Sequence, residues 1–169
     1  FSERLLKLAP EGFDRVFLVN SGTEANDLAI RLAWAYSGGR DLLSVLEAYH
    51  GWSVATDAIS TSIADNPQAL ETRPDWVHPV EAPNTFRGRF RGADSAADYL
   101  RDVDAKLADL DARGRQLAGI ICEPVYGNAG GISLPAGYLH AAYAKVRARG
   151  GVCIADEVQV GYGRLGEYF

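Results

Sequence analysis

Four short motifs combine residue types and spacings that can do chemistry, and the most informative closes an apolar run. Val152-Cys153-Ile154-Ala155 is followed directly by Asp156 and Glu157. A carboxylate at the mouth of a buried strand loses hydration and needs a positive partner. A protonated pyridine nitrogen is one such partner, and an arginine of the protein itself is the other. In the first case Asp156 keeps the ring nitrogen charged, and the charged ring serves as an electron sink for carbanion chemistry. Gln159 could then hydrogen-bond a ring hydroxyl. Glu157 points the other way if the strand geometry persists, so its expected role is structural.

A second motif, Asn20-Ser21-Gly22-Thr23-Glu24-Ala25-Asn26, opens a helix after an apolar run at Val16–Val19. Unpaired backbone N–H groups and the positive end of the helix dipole suit a phosphate there, with Gly22 allowing close approach and Ser21 and Thr23 donating hydroxyls. An ordinary Ser or Thr helix cap, closed by the glutamate, explains the same residues. The third motif, Ala48-Tyr49-His50-Gly51-Trp52, follows the apolar run Leu42–Leu46, at the strand edge where α/β folds keep ligands. Tyr49 is the candidate to stack on a planar cofactor, with His50 beside it and Gly51 permitting the turn. An aromatic cluster packing a strand end is the alternative. The fourth, Ile120-Ile121-Cys122-Glu123-Pro124, puts Glu123 at the same edge, as a substrate contact, an arginine gate or a plain loop carboxylate. Gly161-Tyr162-Gly163-Arg164-Leu165-Gly166 has GxGxxG spacing, but it neither opens a helix directly after its strand nor precedes an acid about 20 residues on, so we set a nicotinamide site aside.

The elements that must position these residues follow from hydrophobic period. Branched apolar runs at Arg15–Val19, Leu42–Leu46, Trp76–Val80, Ala118–Cys122 and Val152–Ala155 predict strands, several buried on both faces. Between them, Ala25, Leu28, Ala29, Leu32, Ala33 and Tyr36 share one helical face, and Tyr99, Leu100, Val103, Leu107 and Leu110 share another. A third helix is expected after Pro135, with Leu139, Ala142, Tyr143 and Val146 inward and Gly150-Gly151 stopping it. Glu3–Leu8 reads as helix, and Thr61–Asp75 and Pro83–Gly92 as loops. Strands alternating with helices predict an α/β class with a mostly parallel sheet and helices on both faces.

Composition narrows the function classes. The 169 residues are 47% hydrophobic and 23% charged, with a formal net charge of −5. Arg87 to Arg91 is the densest basic stretch and holds only three arginines, so neither nucleic acid nor an anionic membrane is an expected partner. No apolar run is long enough to cross a bilayer and no secretory signal is legible, which makes a cytoplasmic location the default expectation. Cys122 and Cys153 form no CxxC pair and are expected as buried thiols. His50, His78 and His140 are too dispersed for a ligand pattern, and no metal is assigned.

Taken together, Asn20 to Asn26, Tyr49-His50-Gly51, Glu123-Pro124 and Asp156-Glu157-Val158-Gln159-Val160-Gly161-Tyr162-Gly163-Arg164 resemble the class III aminotransferases, of pyridoxal-phosphate fold type I. The resemblance runs from about Phe13 to the last residue. It implies that Gly22 and Thr23 bind the phosphate of pyridoxal 5'-phosphate, Tyr49 stacks on the ring, Asp156 pairs with the ring nitrogen, and Val158 and Gln159 contact the ring and its hydroxyl. Trp76-Val77-His78-Pro79 and Pro83-Asn84-Thr85-Phe86-Arg87-Gly88-Arg89-Phe90 look like the branch holding ethanolamine-phosphate and phosphohydroxylysine phospho-lyases and alanine-glyoxylate aminotransferase 2-like proteins. The expected reaction is therefore transamination between an amine or amino acid and a keto acid or aldehyde, with phosphate elimination from a phosphorylated amine as the alternative. The only lysines are Lys7, Lys106 and Lys145, and none stands where the family's Schiff-base lysine is expected. Residues 1–169 are thus expected to be a partial cofactor-binding large domain, truncated at both ends and non-catalytic alone, from a protein that is a homodimer by resemblance.

Overall fold

A computed structural model describes residues 1–169. Four strands, β1 (Asp41–Val45), β2 (Val77–Val80), β3 (Leu117–Cys122) and β6 (Val152–Ala155), form an all-parallel sheet in the order β2-β1-β3-β6. A short antiparallel hairpin, β4 (Val125–Tyr126) with β5 (Ile132–Ser133), follows β3 and was not expected from sequence. The helices are α1 (Ser2–Leu8), α2 (Gly22–Ser37), α3 (Val54–Ile59), α4 (Ala96–Ala112) and α5 (Tyr138–Arg147). No helix is long and apolar enough to cross a membrane.

Alternation along β1 assigns the two layers. Leu42 packs with Ile30 of α2, Ile59 of α3, Ala118 and Ile121. Its neighbour Leu43 points the opposite way, into a larger core with Tyr99, Val103, Leu107 and Leu110 of α4 and Tyr138 and Val146 of α5. Both faces of the inner strands β1 and β3 are covered, so neither alternates between buried and exposed positions, whereas the edge strand β6 is partly exposed. Cys122 is fully buried at the end of β3, and that apolar environment pushes its thiol pKa up to about 12.

Three expectations fail, each for a physical reason. Cys153, expected as a buried thiol, is only half-buried, because β6 is an edge strand with a neighbour on one side alone. No strand forms at Arg15–Val19; Phe17, Leu18 and Val19 are 62%, 62% and 42% exposed. A branched apolar run becomes a strand only when another strand completes its ladder, and β6 at the sheet edge pairs with β3 alone. On α2 the helical period is right but the face is rotated: Asn26, Ile30 and Ala33 are buried, while Leu32 and Tyr36 are exposed. The helix turns its polar Asn26 inward because that side chain has partners at the end of β6. Thr61–Asp75 contains no helix or strand, as expected, yet it starts inside the protein. Thr61 Oγ1 donates to Val45 O (2.7 Å) and accepts from Ala48 N (3.0 Å), fixing the chain as it leaves β1.

Candidate active site

Parallel strands deliver their C-terminal ends to one edge, and the expected residues meet there. Ala155 pairs with Cys122 at the end of the β3–β6 ladder, so Asp156 and Glu123 each stand one residue beyond it on neighbouring strands. Asp156 N donates to Cys122 O (3.0 Å), which carries the strand direction one residue further. From β1 come Tyr49 and His50. Gly51 must be glycine: its φ is +139°, and a Cβ there would lie 2.8 Å from Thr23 Oγ1 and 2.9 Å from Thr23 Cα. That close approach seats the Tyr49–Gly51 turn on the first residues of α2.

Asp156 is 6% exposed, and both of its carboxylate oxygens take hydrogen-bond partners. Its Oδ2 lies 2.8 Å from His50 Nδ1 and accepts from Asn26 Nδ2 at 2.7 Å, while Oδ1 accepts from Val158 N at 3.1 Å. Burial pushes its pKa up, but the His50 hydrogen bond and charge, then the Val158 N–H and the Asn26 amide, outweigh burial and hold it below the ordinary carboxylate value. Glu123, 5% exposed, has the opposite balance. Burial raises its pKa despite N–H donation to Oε2 from Gly127 (2.9 Å) and Asn128 (3.3 Å), and Oε1 has no partner. Two carboxyl groups in one cleft are thereby pushed apart, one held ionised and the other biased toward the acid.

Of the residues expected from sequence, Gly22, Thr23, Tyr49, His50, Glu123, Asp156, Val158 and Gln159 all line one cleft of about 590 Å³. Ser21 does not line it. Its Oγ accepts from Glu24 N (3.1 Å) as the α2 N-cap, and Glu24 reaches back to Asn20 N (2.6 Å), which is the capping arrangement weighed above. The His50 ring is buried with Nδ1 on Asp156, while Nε2 has no partner. Sequence reasoning gave no role to Asn26, Asn128 or Arg164, all in the cleft wall. Arg164 is its only lysine or arginine. A polar residue in the middle of an apolar helical phase was the available signal for Asn26. No group of three or more His, Cys, Asp or Glu side chains converges as metal ligands do.

The cleft fits pyridoxal phosphate on its own geometry. Its wall carries two buried unpartnered polar atoms, His50 Nε2 and Glu123 Oε1. It also includes the Gly22–Thr23 opening of α2, with Val158 packed so closely that a Cβ on Gly22 would sit 2.9 Å from its Cγ2.

Among solved structures, a transaminase with L-Ala superposes with a TM-score of 0.84 at 27% identity, covering 99% of this chain and 40% of that one. The omega transaminase of Pseudomonas jessenii in complex with PMP gives 0.87 at 26%, over 99% of this chain and 38% of its own. A phospholyase from Arthrobacter in complex with phosphoethanolamine gives 0.80 at 34%, over 96% and 38%. Sheet order, strand-end carboxylate and these likenesses define a pyridoxal-phosphate enzyme scaffold of fold type I. More narrowly, the chain belongs to the class-III aminotransferase family, whose model matches residues 1–169.

Curated relatives agree. Alanine–glyoxylate aminotransferase 2-like of Drosophila melanogaster is 39% identical over 95% of this chain and 33% of its own length. The mitochondrial alanine–glyoxylate aminotransferase 2 of Homo sapiens is 37% identical over 100% and 36%, and ethanolamine-phosphate phospho-lyase homolog 1 of Caenorhabditis elegans 35% over 99% and 38%. The chain spans about a third of the length of these relatives.

Proposed function

We propose that the protein carrying this chain is a pyridoxal-phosphate-dependent aminotransferase that moves an amino group between an amine or amino acid and a keto acid or aldehyde. The observation that carries this reading is the buried Asp156 carboxylate, held ionised by His50, Asn26 and the Val158 N–H at the cleft wall. When bound, pyridoxal phosphate supplies a carbonyl that condenses with amines and a ring that accepts the electron pair left by proton loss.

In this reading the chain's own groups orient and exclude. The N–H groups of Gly22 and Thr23 at the start of α2 receive the phosphate, with the helix dipole favouring its charge. Tyr49 and Val158 pack on the two sides of the ring, and Gln159 serves its hydroxyl. Asp156 pairs with the ring nitrogen and keeps it protonated, while His50 and Asn26 fix the carboxylate from behind. Glu123 Oε1 and Arg164 face the substrate. Lys145 is paired with Asp104 (2.7 Å), and neither it, Lys7 nor Lys106 lines the cleft, so the Schiff-base lysine comes from another part of the protein and the chain alone is non-catalytic. Residues 1–169 are, on this view, the central portion of the cofactor-binding large domain.

The second reading is a phospho-lyase that expels phosphate from a phosphorylated amine such as phosphoethanolamine. It is favoured by the similarity to the Arthrobacter phospholyase and the Caenorhabditis elegans homolog. A homodimer also belongs to the proposal, supported by the exposed apolar Leu32 and Tyr36 on α2, and analytical ultracentrifugation tests it. So does a cytoplasmic location, which cell fractionation tests against the mitochondrial location in the human relative's name.

An absorbance titration of the full-length protein with pyridoxal phosphate, before and after borohydride, is the deciding experiment. A borohydride-trapped lysine adduct, with amino-group transfer from L-alanine, supports the aminotransferase. Release of inorganic phosphate from phosphoethanolamine without amino transfer supports the phospho-lyase, and absence of cofactor binding overturns both.

A further inference from the structure

The eight residues Thr85–Gly92 hold three arginines and no acid, in a chain of net charge −5. They leave the C-terminal end of β2, the strand beside β1, and so emerge at the same sheet edge as Tyr49 and His50. Ala82, Pro83 and Asn84 share a small crevice with Glu47, Tyr126 and Ala129, against the hairpin turn whose Asn128 lines the cleft.

Hydrogen bonds brace this loop from within and from α4. The buried Tyr99 hydroxyl contacts Asn84 O (3.0 Å) and Phe90 O (2.8 Å) and accepts from Phe90 N (3.1 Å). Asn84 Oδ1 accepts from Phe86 N (3.0 Å) and Arg87 N (2.8 Å), and Gly92 N donates to Thr85 O (3.0 Å). Gly88 packs so tightly on Tyr99 and Asn84 O that no side chain fits there. The framework displays Arg87, Arg89 and Arg91 at alternate positions, all exposed. Arg89 meets Glu81 only at 3.8 Å, Asp98 is taken by Arg101, and Asp102 accepts from Glu81 N. Arg87 and Arg91 have no carboxylate partner, and Asp94 is the one unpaired acid close by in sequence.

A hydrogen-bonded loop that holds guanidinium groups without carboxylate partners at the same end of the sheet as the cleft creates a local positive potential, and such a field raises the encounter rate of anions. We propose that the Pro83–Gly92 loop is an electrostatic guide that draws small amines bearing a phosphate monoester to the cleft. The proposal rests on the cleft being the pyridoxal-phosphate site of an enzyme acting on amines. Phosphoethanolamine carries roughly −0.5 to −1 net at neutral pH, its phosphate charge of about −1.5 to −2 offset by one ammonium, whereas L-alanine is a neutral zwitterion. Only the former gains from the field.

The test uses the full-length protein, wild type against an Arg87→Gln/Arg91→Gln double variant, with Asp94→Asn as the opposite perturbation. Association rates of phosphoethanolamine and of pyridoxal phosphate with the protein are followed by stopped-flow tryptophan fluorescence, and kcat/KM is compared for phosphoethanolamine and L-alanine. For phosphoethanolamine the double variant is expected to lose roughly fivefold to tenfold in association rate and kcat/KM at about 20 mM salt, shrinking toward none at about 300 mM as the charges are screened. Asp94→Asn raises both, and L-alanine shows less than a third of the change.

An equal loss for both substrates, a loss independent of salt, or a loss confined to pyridoxal phosphate overturns the proposal. So does a wild-type protein that does not bind phosphoethanolamine. Failure of the underlying site assignment looks different, because wild type and variants alike then lack a cofactor spectrum.

Discussion

His50 Nδ1 lies 2.8 Å from Asp156 Oδ2, with both side chains almost wholly out of solvent. The two residues are 106 positions apart and follow β1 and β6, which are separated in the sheet by β3. The contact therefore measures how well the sheet edge is assembled. Replacing His50 with Phe should lower affinity for pyridoxal phosphate about tenfold or more while sparing the fold, because Asp156 keeps Asn26 and the Val158 N–H but loses the imidazole hydrogen bond that orients it. Spectrophotometric titration and a thermal melt of the same variant separate the two effects.

Asp156 also sets a pH limit. Its folded-state pKa is held below the ordinary value, so its contribution to stability is present above the unfolded value of 3.8 and is lost as pH falls through the depressed folded value. Chemical denaturation of wild type and Asp156→Asn across the acid range should show the wild-type advantage fading only below about pH 4.

Glu123 runs in the opposite direction. Burial raises its pKa above 4.5, so the stability linked to its proton is complete below pH 4.5 and declines as pH rises through the folded value. Glu123→Gln retains an acceptor for the Gly127 and Asn128 N–H groups and removes a buried charge. At neutral pH it should match or exceed wild type in stability by about 1 kcal/mol, yet impair substrate turnover. A variant less stable than wild type at pH 7 would contradict this balance.

Gly51 and Gly22 provide a paired comparison. A methyl at Gly51 meets Thr23 Cα at 2.9 Å in a left-handed backbone, whereas at Gly22 it meets only Val158 side-chain atoms. Gly51→Ala should cost about 2–4 kcal/mol in denaturant melts, and Gly22→Ala about 1 kcal/mol or less with a larger penalty in cofactor affinity.

At the opposite end of the sheet, Asp41 is buried between His78 Nε2 (2.5 Å) and Arg115 Nε (2.9 Å), and Arg115 also reaches Asp75 (2.9 Å). This cluster ties the starts of β1, β2 and β3 and contains no cleft residue. Arg115→Gln takes the guanidinium away from the buried Asp41 carboxylate and should lower the thermal melting temperature without changing the cofactor spectrum.

Much of this architecture was legible because buried parallel strands have a strong signature. The runs now seen as β1, β2, β3 and β6 were found within one residue at either end, and the residues just past three of them proved to share a cleft. What was missed depended on contacts distant in sequence. The α2 face was misphased because hydrophobicity cannot foresee that Asn26 is buried by Asp156, 130 positions away. Arg15–Val19 was read as a strand because residue type reports preference and not the presence of a neighbour. Ser21 shows the reverse: the capping alternative weighed from sequence alone describes its observed hydrogen bond.

The thiol of Cys122 sits against the site, its carbonyl bonded to Asp156 N and its side chain sealed in the core with a pKa pushed up to about 12. A thiol so protected is inert to alkylation and mild oxidation while the strand stays in place. Its labelling rate is therefore a clock for transient opening of β3. A slowing of that clock when pyridoxal phosphate is added would report occupancy of the cleft from the rear of the sheet, without a catalytic assay.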